Sequence, residues 1–264
     1  MYLQHFGLKH EVLGKKHTLV LKQSAELEKQ LMRILETKGI GVIIGPSGSG
    51  KTIALKQWTS SLNQLNHKVI YQSDNHFKSF DIYRQFNDSL GLERSHRYSQ
   101  QWRTIKEGLL DLVENKQTTP VWILDEAHHL PPDFLLHLPS FLNFNFDSKN
   151  MVIIILCGQP SIMNLFKKSA YDSVSSRIQF ITEWRELDDP VEFSKILEEA
   201  FKQSGKHEKV MSESGVRIIH HASKGRLRYA NRIITRALQL AAESNINHLP
   251  DNVIENAIMQ FQLN

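Results

Sequence analysis

Apolar residues follow two different spacings in the first two thirds of the chain. Residues 24–38 carry apolar side chains at helical spacing, at Leu27, Leu31, Ile34 and Leu35. Short runs rich in apolar and β-branched residues lie at 40–44, 68–72, 121–124, 151–156 and 178–182. Further helices are predicted at 51–66, 79–91 and 99–115. Strands that alternate with helices predict an α/β fold, in which helices flank a central parallel β-sheet.

The last third of the chain has helical patterns only. Helices are predicted at 189–203, 212–222, 226–244 and 250–261. This change of pattern places a domain boundary near residue 185. We therefore predict an N-terminal segment at 1–23, an α/β core at 24–185 and a small all-α domain at 186–264.

Composition is that of a soluble globular protein, with 41% hydrophobic and 23% charged residues in 264. The net charge of +4 and the pI near 9.0 favour an anionic partner. The single cysteine, Cys157, lies in an apolar run, which predicts a buried thiol and a cytoplasmic protein. That run is six residues long. A bilayer span needs roughly 20 residues, so we expect no membrane insertion.

The glycine-rich stretch GPSGSGKT at 45–52 matches the P-loop pattern in full. Its backbone N–H groups and the N-terminus of the next helix suit phosphate oxygens. Lys51 is expected at the β- and γ-phosphates, and Thr52 at Mg²⁺. A structural glycine loop is the alternative, but the strand before it and the helix after it favour ATP. The predicted nucleotide-binding residues are Gly45, Pro46, Ser47, Gly48, Ser49, Gly50, Lys51, Thr52 and Ile53.

A pair of carboxylates follows the apolar strand of WILDEAHHL, residues 122–130. Asp125 is placed to bind Mg²⁺ through water, and Glu126 to polarise the water that attacks the γ-phosphate. With Lys51, this predicts an ATP hydrolase; the alternative for Glu126 is an ordinary acidic residue of the loop.

The string DEAH within this stretch also occurs in a class of helicases. Such a helicase needs two tandem cores and an arginine-rich motif, and neither is expected in 264 residues. We therefore interpret His128 and His129 as ordinary loop residues. The alternative is that one of them senses the γ-phosphate or a neighbouring group. A metal site is disfavoured because no third ligand is suitably spaced.

Five stretches together resemble one family: MYLQHFGL, GPSGSGKT, WILDEAHHL, IIILCGQPSI and GRLRYANRIITRAL. They are similar to the AAA+ ATPases of the ExeA-like and TnsC/TniB type, over about residues 1–260. In the N-terminal stretch, EVLG stands where that family has a Pro-Phe pair. The resemblance implies an AAA+ P-loop NTPase fold in which the C-terminal helices form a lid domain.

The resemblance also implies roles for residues outside the P-loop. Gln159 corresponds to a polar sensor, Arg177 to an arginine finger offered to a neighbouring subunit, and Arg228 to a second sensor. Arg226 is the rival for that last role. The alternatives are that Gln159 caps the next helix and that Arg177 is a surface residue. A finger offered to a neighbour implies a ring or a helical filament of this chain.

ExeA-like secretion ATPases carry a membrane helix and a cell-wall-binding domain after the core, and this sequence shows neither. We therefore expect the stand-alone type, in which ATPases assemble on duplex DNA, select a target site and recruit or activate a transposase. Two alternatives stay open. One is an oligomeric ATPase that acts on protein in secretion or assembly. The other is a helicase loader or replication-initiation ATPase.

A basic segment at 76–103 is the candidate DNA-binding region, because a filament on DNA needs cations facing the phosphates. Lys78, Arg94 and Arg97 are the predicted contacts, and they would be independent of base sequence. A solvated helix surface is the alternative. A second basic stripe, Arg228, Arg232 and Arg236, lies on one face of the predicted lid helix.

Overall fold

The computed structural model describes residues 2–14, 19–73, 78–143 and 150–262. The start of the basic segment, His76 and Phe77, lies outside these described residues. The chain divides into two compact units. The first consists of Met1–Ser24, Pro46–Ala54 and Arg185–Asn264, and the second of Ala25–Gly45 and Leu55–Trp184.

The second unit contains a five-stranded sheet in the order β2-β3-β4-β1-β5, with every neighbouring pair parallel. The strands are β1 Gly39–Ile44, β2 His67–Gln72, β3 Thr119–Leu124, β4 Ile153–Gly158 and β5 Ile178–Glu183. The prediction of a central parallel sheet is confirmed. β3 begins two residues earlier than predicted because Pro120, which lacks an N–H, is tolerated next to the start of a strand.

Twelve α-helices precede, connect and follow these strands in the described chain. They are α1 Tyr2–Phe6, α2 Lys22–Thr37, α3 Lys51–Ser61, α4 Ser79–Leu90, α5 Tyr98–Leu110, α6 Pro132–His137, α7 Met163–Phe166, α8 Asp172–Ser175, α9 Pro190–Gln203, α10 Glu213–Ser223, α11 Leu227–Glu243 and α12 Asp251–Gln262. None of these helices is both long and apolar enough to cross a bilayer.

Two of the predicted helices end several residues earlier than expected. α3 stops at Ser61 because Asn63 forms a local turn, in which its side chain accepts the N–H of Leu65 at 2.9 Å. α5 stops at Leu110 and continues as one π-helical turn, Asp111–Asn115. Both differences concern the ends of the helices, where local side-chain hydrogen bonds compete with the helical pattern.

One face of the sheet carries the main core of the second unit. Because the strands are in register, Ile70, Trp122, Ile154 and Ile40 form one row across it. The ring of Phe86, on α4, lies 4.1 Å from that of Trp122. Side chains of α5 and α6 complete this cluster, and all of these residues are at most 2% exposed.

The carboxyl ends of the central strands lie at one edge of the sheet. β1 runs into Gly45, β3 into Asp125 and β4 into Gln159. Gly45 donates its N–H to the Gly158 carbonyl at 3.1 Å, and Asp125 donates its N–H to the Gln72 carbonyl at 2.8 Å. This edge therefore gathers predicted site residues that lie far apart in the sequence.

The first unit is built from α1 and the helices α9 to α12. Asp189 caps α9 by accepting the N–H of Val191 at 2.9 Å, with Pro190 at the first helical position. The N-terminal segment is held by the lid helix α11, where Asn231 accepts the N–H of Leu13 at 3.1 Å. The predicted helical C-terminal region is thus present, and the N-terminal segment packs with it.

Replacing Leu109 by alanine should destabilise the second unit by about 2–5 kcal/mol, because it leaves a cavity in a packed core. Leu109 is fully buried on α5, where alanine itself favours the helix. Urea unfolding followed by tryptophan fluorescence measures the loss, since Trp122 lies in the same core. Leu65→Ala is the matched control, because Leu65 is 82% exposed. Equal effects of both changes would contradict this description of the core.

Candidate functional site

The P-loop has a tightly curled backbone. Gly48 and Gly50 have φ angles of +79° and +106°, which side chains other than glycine rarely adopt. The Pro46 carbonyl accepts hydrogen bonds from the Ser49 hydroxyl and the Lys51 ammonium, both at 2.8 Å. Ser49 is 1% and Lys51 8% exposed, so the loop holds both side chains inside its own turn.

These features fit a chain of phosphates. Lys51 is the first residue of α3, an 11-residue helix, so the helix N-terminus and an ammonium lie together. Thr52 follows Lys51 on α3 and is exposed. Backbone N–H groups, a cation and a hydroxyl are the groups by which P-loops hold phosphate and Mg²⁺.

Arg228 lies at the P-loop within the same unit. Its Nη1 donates to the Ser47 hydroxyl at 3.0 Å, and its backbone N–H donates to the Gly48 carbonyl at 3.2 Å. A side chain on Gly48 would lie 2.8 Å from the Arg228 Cβ, so glycine is required for this approach. The start of α11 thus presents a guanidinium to the loop, where the second sensor was predicted.

The rival arginine is used elsewhere. Arg226 donates from Nε to the Ser223 carbonyl at 3.3 Å, and its guanidinium lies 5.8 Å from the centre of the Tyr229 ring. Arg232, the next residue of the basic stripe, lies 4.7 Å from the centre of the Phe261 ring. Both therefore take part in packing within the helical unit, whereas Arg228 reaches the P-loop.

Asp125 is held on both carboxylate oxygens. Oδ1 accepts the N–H of Glu126 at 2.9 Å, and Oδ2 accepts the phenol O–H of Tyr71 at 2.8 Å. Asp125 is 4% exposed, whereas Tyr71 is 50% exposed. Partial burial, and then the hydrogen bond to Asp125, raise the pKa of Tyr71, so the phenol stays protonated as a donor. Sequence reasoning missed Tyr71, because no motif marks β2.

Glu126 adopts a left-handed backbone conformation, with φ 51° and ψ 38°. Residues other than glycine are uncommon there, and such strained positions cluster at functional sites. The strained turn places the carboxylate directly after Asp125, and its side chain is 44% exposed. A half-exposed carboxylate at the end of β3 is what the predicted role of polarising water requires.

His128 connects the turn after β3 to the end of β4. Its Nδ1 accepts the backbone N–H of Gln159 at 3.3 Å and lies 3.7 Å from Glu126 Oε2. The hydrogen bond to Gln159 holds the ring, and its 3.7 Å approach to Glu126 is a close contact that is longer than a hydrogen bond. Sequence analysis interpreted His128 as an ordinary loop residue, because no sequence pattern indicates its contact with the end of β4.

Gln159, the predicted polar sensor, directly follows β4. Its side chain makes no capping hydrogen bond to the short 3₁₀ turn that follows, Pro160–Ile162, so the capping alternative has no support. The residue lies at the same sheet edge as Asp125. A sensor role for Gln159 stays a prediction.

Arg177 lies at the opposite end of the strands. It directly precedes β5, whose first residue, Ile178, pairs with Ile40 at the start of β1. Its Nη1 donates to the Ser173 carbonyl at 2.9 Å, and its Nη2 to Asn143 Oδ1 at 3.0 Å. The guanidinium is thus oriented by its own subunit, at the edge of the sheet remote from Asp125.

The predicted DNA-binding residues differ in their surroundings. Lys78 and Arg97 precede α4 and α5, and both are exposed. The starts of α4 and α5 lie side by side, because the rings of Phe80 and Tyr98 stack with their centres 6.3 Å apart. Arg94, by contrast, is paired with Asp88 through two hydrogen bonds of 2.6 and 2.7 Å.

A family profile described as an AAA domain matches residues 32–166, just over half of the 264 residues. The chain belongs to this AAA family. The match includes the P-loop, Asp125 and Glu126. No curated protein matches the sequence. The predicted AAA+ P-loop fold is therefore confirmed, while the finer likeness to the ExeA-like or TnsC/TniB type stays a prediction.

Solved structures that resemble this chain include two ORC proteins and a RuvB motor. The Aeropyrum pernix ORC2 protein, described in ADPNP–ADP complexes, has a TM-score of 0.75 at 16% identity, covering 94% of this chain and 70% of that one. The Aeropyrum pernix ORC1 protein in complex with DNA has a TM-score of 0.73 at 14% identity, covering 95% and 68%. The Thermotoga maritima RuvB Holliday junction branch migration motor has 0.60 at 17% identity, covering 92% and 70%. At these identities the likeness establishes the fold.

Arg228→Ala should weaken ATP binding by about 10- to 100-fold, because hydrogen bonds to charged groups contribute roughly 1.5–3 kcal/mol. Arg232→Ala is the matched control, one turn further along α11, and should leave the affinity unchanged. Titration with a fluorescent ATP analogue measures both dissociation constants. Equal losses in the two variants would show that the effect comes from the helical unit as a whole, not from the P-loop contact.

Proposed function

We propose that this chain is an ATPase that assembles with copies of itself on duplex DNA when ATP is bound, and that hydrolysis controls the assembly. The observation that carries this proposal is the contact of Arg228 with the P-loop. It holds a guanidinium at the loop that would bind the phosphates. A cation at that position would bind the γ-phosphate of ATP and lose this partner in ADP.

Residues of this chain supply the groups that the reaction needs. Lys51 and Arg228 would hold the phosphates, and Thr52 and Asp125 are the Mg²⁺ ligands that the sequence motifs predict. When bound, Mg²⁺ neutralises charge that develops on the phosphate oxygens. Glu126 would polarise the attacking water. The tight loop around Lys51 and the two hydrogen bonds on Asp125 support these assignments.

DNA binding is proposed through the starts of α4 and α5. Lys78 and Arg97 are exposed cations beside two helix N-termini, a combination that attracts phosphate. The stacked rings of Phe80 and Tyr98 lie between them, and Tyr98 is 43% exposed. Such contacts to phosphate would be independent of base sequence. The DNA complex of the Aeropyrum pernix ORC1 protein, which shares the fold, supports the proposal.

The finer proposal is that the assembled chain selects a target site and recruits or activates a transposase. It rests on the sequence resemblance to the TnsC/TniB type, carried by the CGQP stretch at 157–160 and the arginine-rich start of α11. An ATPase that acts only on protein and a helicase-loader ATPase remain the competing proposals. DNA binding separates the first of these from a transposition regulator.

The test is duplex-DNA binding by fluorescence anisotropy with ADP, ATP and a non-hydrolysable ATP analogue at several salt concentrations. We expect binding that is tightest with the ATP analogue and indifferent to sequence. Glu126→Gln should retain binding in ATP, because hydrolysis is blocked, and Lys51→Ala should lose the response to nucleotide. If oligomers form but bind no DNA in any nucleotide state, DNA binding is wrong and an ATPase that acts on protein becomes the favoured function.

The matched variants in the same assay are Lys78→Ala, Arg97→Ala and Arg94→Ala. Each lost phosphate contact should lower the slope of log affinity against log salt by about one. Arg94→Ala should change it less, because Asp88 already pairs with that guanidinium. An effect of Arg94 equal to that of Arg97 would show that the interface lies elsewhere on the segment.

The position of Arg177 is the reason for proposing that copies of the chain assemble. β1 has six residues, so its two ends are roughly 17 Å apart at about 3.3 Å per residue. Arg177 lies near the first end, and Asp125 lies at the edge formed by the other. One side chain does not bridge that distance, so Arg177 is proposed to serve the site of a neighbouring copy.

Mixing two inactive variants tests this sharing. Arg177→Ala and Glu126→Gln should each lower turnover by about 10³-fold or more when alone. Mixed together, they should recover part of the activity, because some interfaces combine an intact Glu126 with an intact Arg177. Arg33→Ala, an exposed arginine on α2, is the control and should retain full turnover. No recovery on mixing, with assembly intact, would place the finger elsewhere.

A further inference from the structure

The phenol of Tyr71 donates a hydrogen bond of 2.8 Å to Oδ2 of Asp125. We propose that Tyr71 is a positioning residue that fixes the carboxylate of Asp125 for the metal ion bound with the nucleotide. This inference rests on the proposed function, in which Asp125 holds Mg²⁺. It assigns a role in that chemistry to a residue of β2.

The sheet register makes the contact specific. Tyr71 pairs with Ile123 on the neighbouring strand β3, and Asp125 lies two residues beyond Ile123. Side chains two residues apart on a strand point to the same face, so Tyr71 and Asp125 are diagonal neighbours on one face. Gln72, the next residue of β2, points to the other face. There its side chain accepts a hydrogen bond from Trp122 at 3.2 Å.

The two donors on Asp125 act on different oxygens. An ionised carboxylate has about four lone-pair positions, and the Glu126 N–H and the Tyr71 O–H use one on each oxygen. A carboxylate held at both oxygens has a fixed rotation about its side-chain bonds. Metal ligands are commonly oriented in this way by hydrogen bonds from residues that do not touch the metal.

The position of Tyr71 argues against a purely packing role. β2 is an edge strand, and Tyr71 is 50% exposed on it. By comparison, Tyr83 is fully buried among aromatic rings of the core. A tyrosine that buries only part of its ring contributes modest packing energy. Its hydroxyl is the group that a phenylalanine would lack, and that hydroxyl binds Asp125.

The test is Tyr71→Phe, compared with wild type in binding a fluorescent ATP analogue with EDTA and with increasing Mg²⁺. Binding in EDTA and the melting temperature should stay near wild type. The Mg²⁺ concentration that gives half of the metal-dependent gain in affinity should rise by about 10-fold, at the lower end of the usual effect of such partners. Steady-state hydrolysis should show the same shift in Mg²⁺ dependence.

Tyr2→Phe is the matched control. Tyr2 is also partly exposed and its hydroxyl is also hydrogen-bonded to a side chain, that of Thr235. That variant should keep the wild-type Mg²⁺ dependence. In a background of Asp125→Asn, adding Tyr71→Phe should produce no further shift, because the two side chains act through one contact.

Three different results would overturn the inference. If wild type binds nucleotide with a clear Mg²⁺ dependence and Tyr71→Phe matches it, the positioning role is wrong while the proposed ATPase stands. If wild type binds no nucleotide with or without Mg²⁺, the proposed function itself fails and the inference fails with it. A shift that persists unchanged in the Asp125→Asn background would also exclude action through Asp125.

Discussion

The parallel register of the five strands is the constraint on which the candidate site depends. Residues at the ends of β1, β3 and β4 are separated by dozens of positions in the sequence, yet parallel pairing brings them to one edge. An antiparallel sheet would alternate strand ends and scatter these groups. The buried β-branched residues that make the strands therefore also decide where Gly45, Asp125 and Gln159 lie. A ladder slip of one residue on β3 would turn Asp125 to the opposite face, which is occupied by the aromatic core.

Within the first unit, one glycine allows a helix end to meet a loop. Gly48 both adopts a positive φ and leaves room for the Cβ of Arg228, so the start of α11 approaches the backbone of the P-loop. The Arg228 N–H bonds to the Gly48 carbonyl, and its guanidinium bonds to Ser47. A backbone contact and a side-chain contact at the same place hold the guanidinium more firmly than either would alone. This arrangement suits a group that must report the presence of one phosphate.

Sequence reasoning recovered the parts that follow from local pattern. The P-loop, Asp125 and Glu126 each lie in a short continuous motif, and β1 to β5 were predicted from their apolar runs. Tyr71 was missed because its contact with Asp125 depends on the pairing of β2 with β3, which no local pattern encodes. The choice between Arg226 and Arg228 stayed open for the same reason. Both residues fit the motif, and only the turn at the start of α11 sends one to Tyr229 and the other to Ser47. The pairing of Arg94 with Asp88 was not predicted either, because Asp88 lies on α4 and Arg94, six residues later, lies beyond the end of that helix.

The two carboxylates after β3, Asp125 and Glu126, are contacted by side chains from different parts of the chain. Asp125 is bound by a phenol from β2, and Glu126 lies near an imidazole that is itself fixed by the backbone of β4. A metal-binding carboxylate must be ionised and still, and a phenol that keeps its proton stabilises that state without adding charge. A carboxylate that polarises water needs an oxygen that water can reach. The contact from Glu126 Oε2 to His128 Nδ1 is longer, at 3.7 Å, and the Glu126 side chain stays 44% exposed. The difference between a 2.8 Å hydrogen bond to Asp125 and a 3.7 Å contact to Glu126 therefore matches the different roles proposed for these adjacent residues.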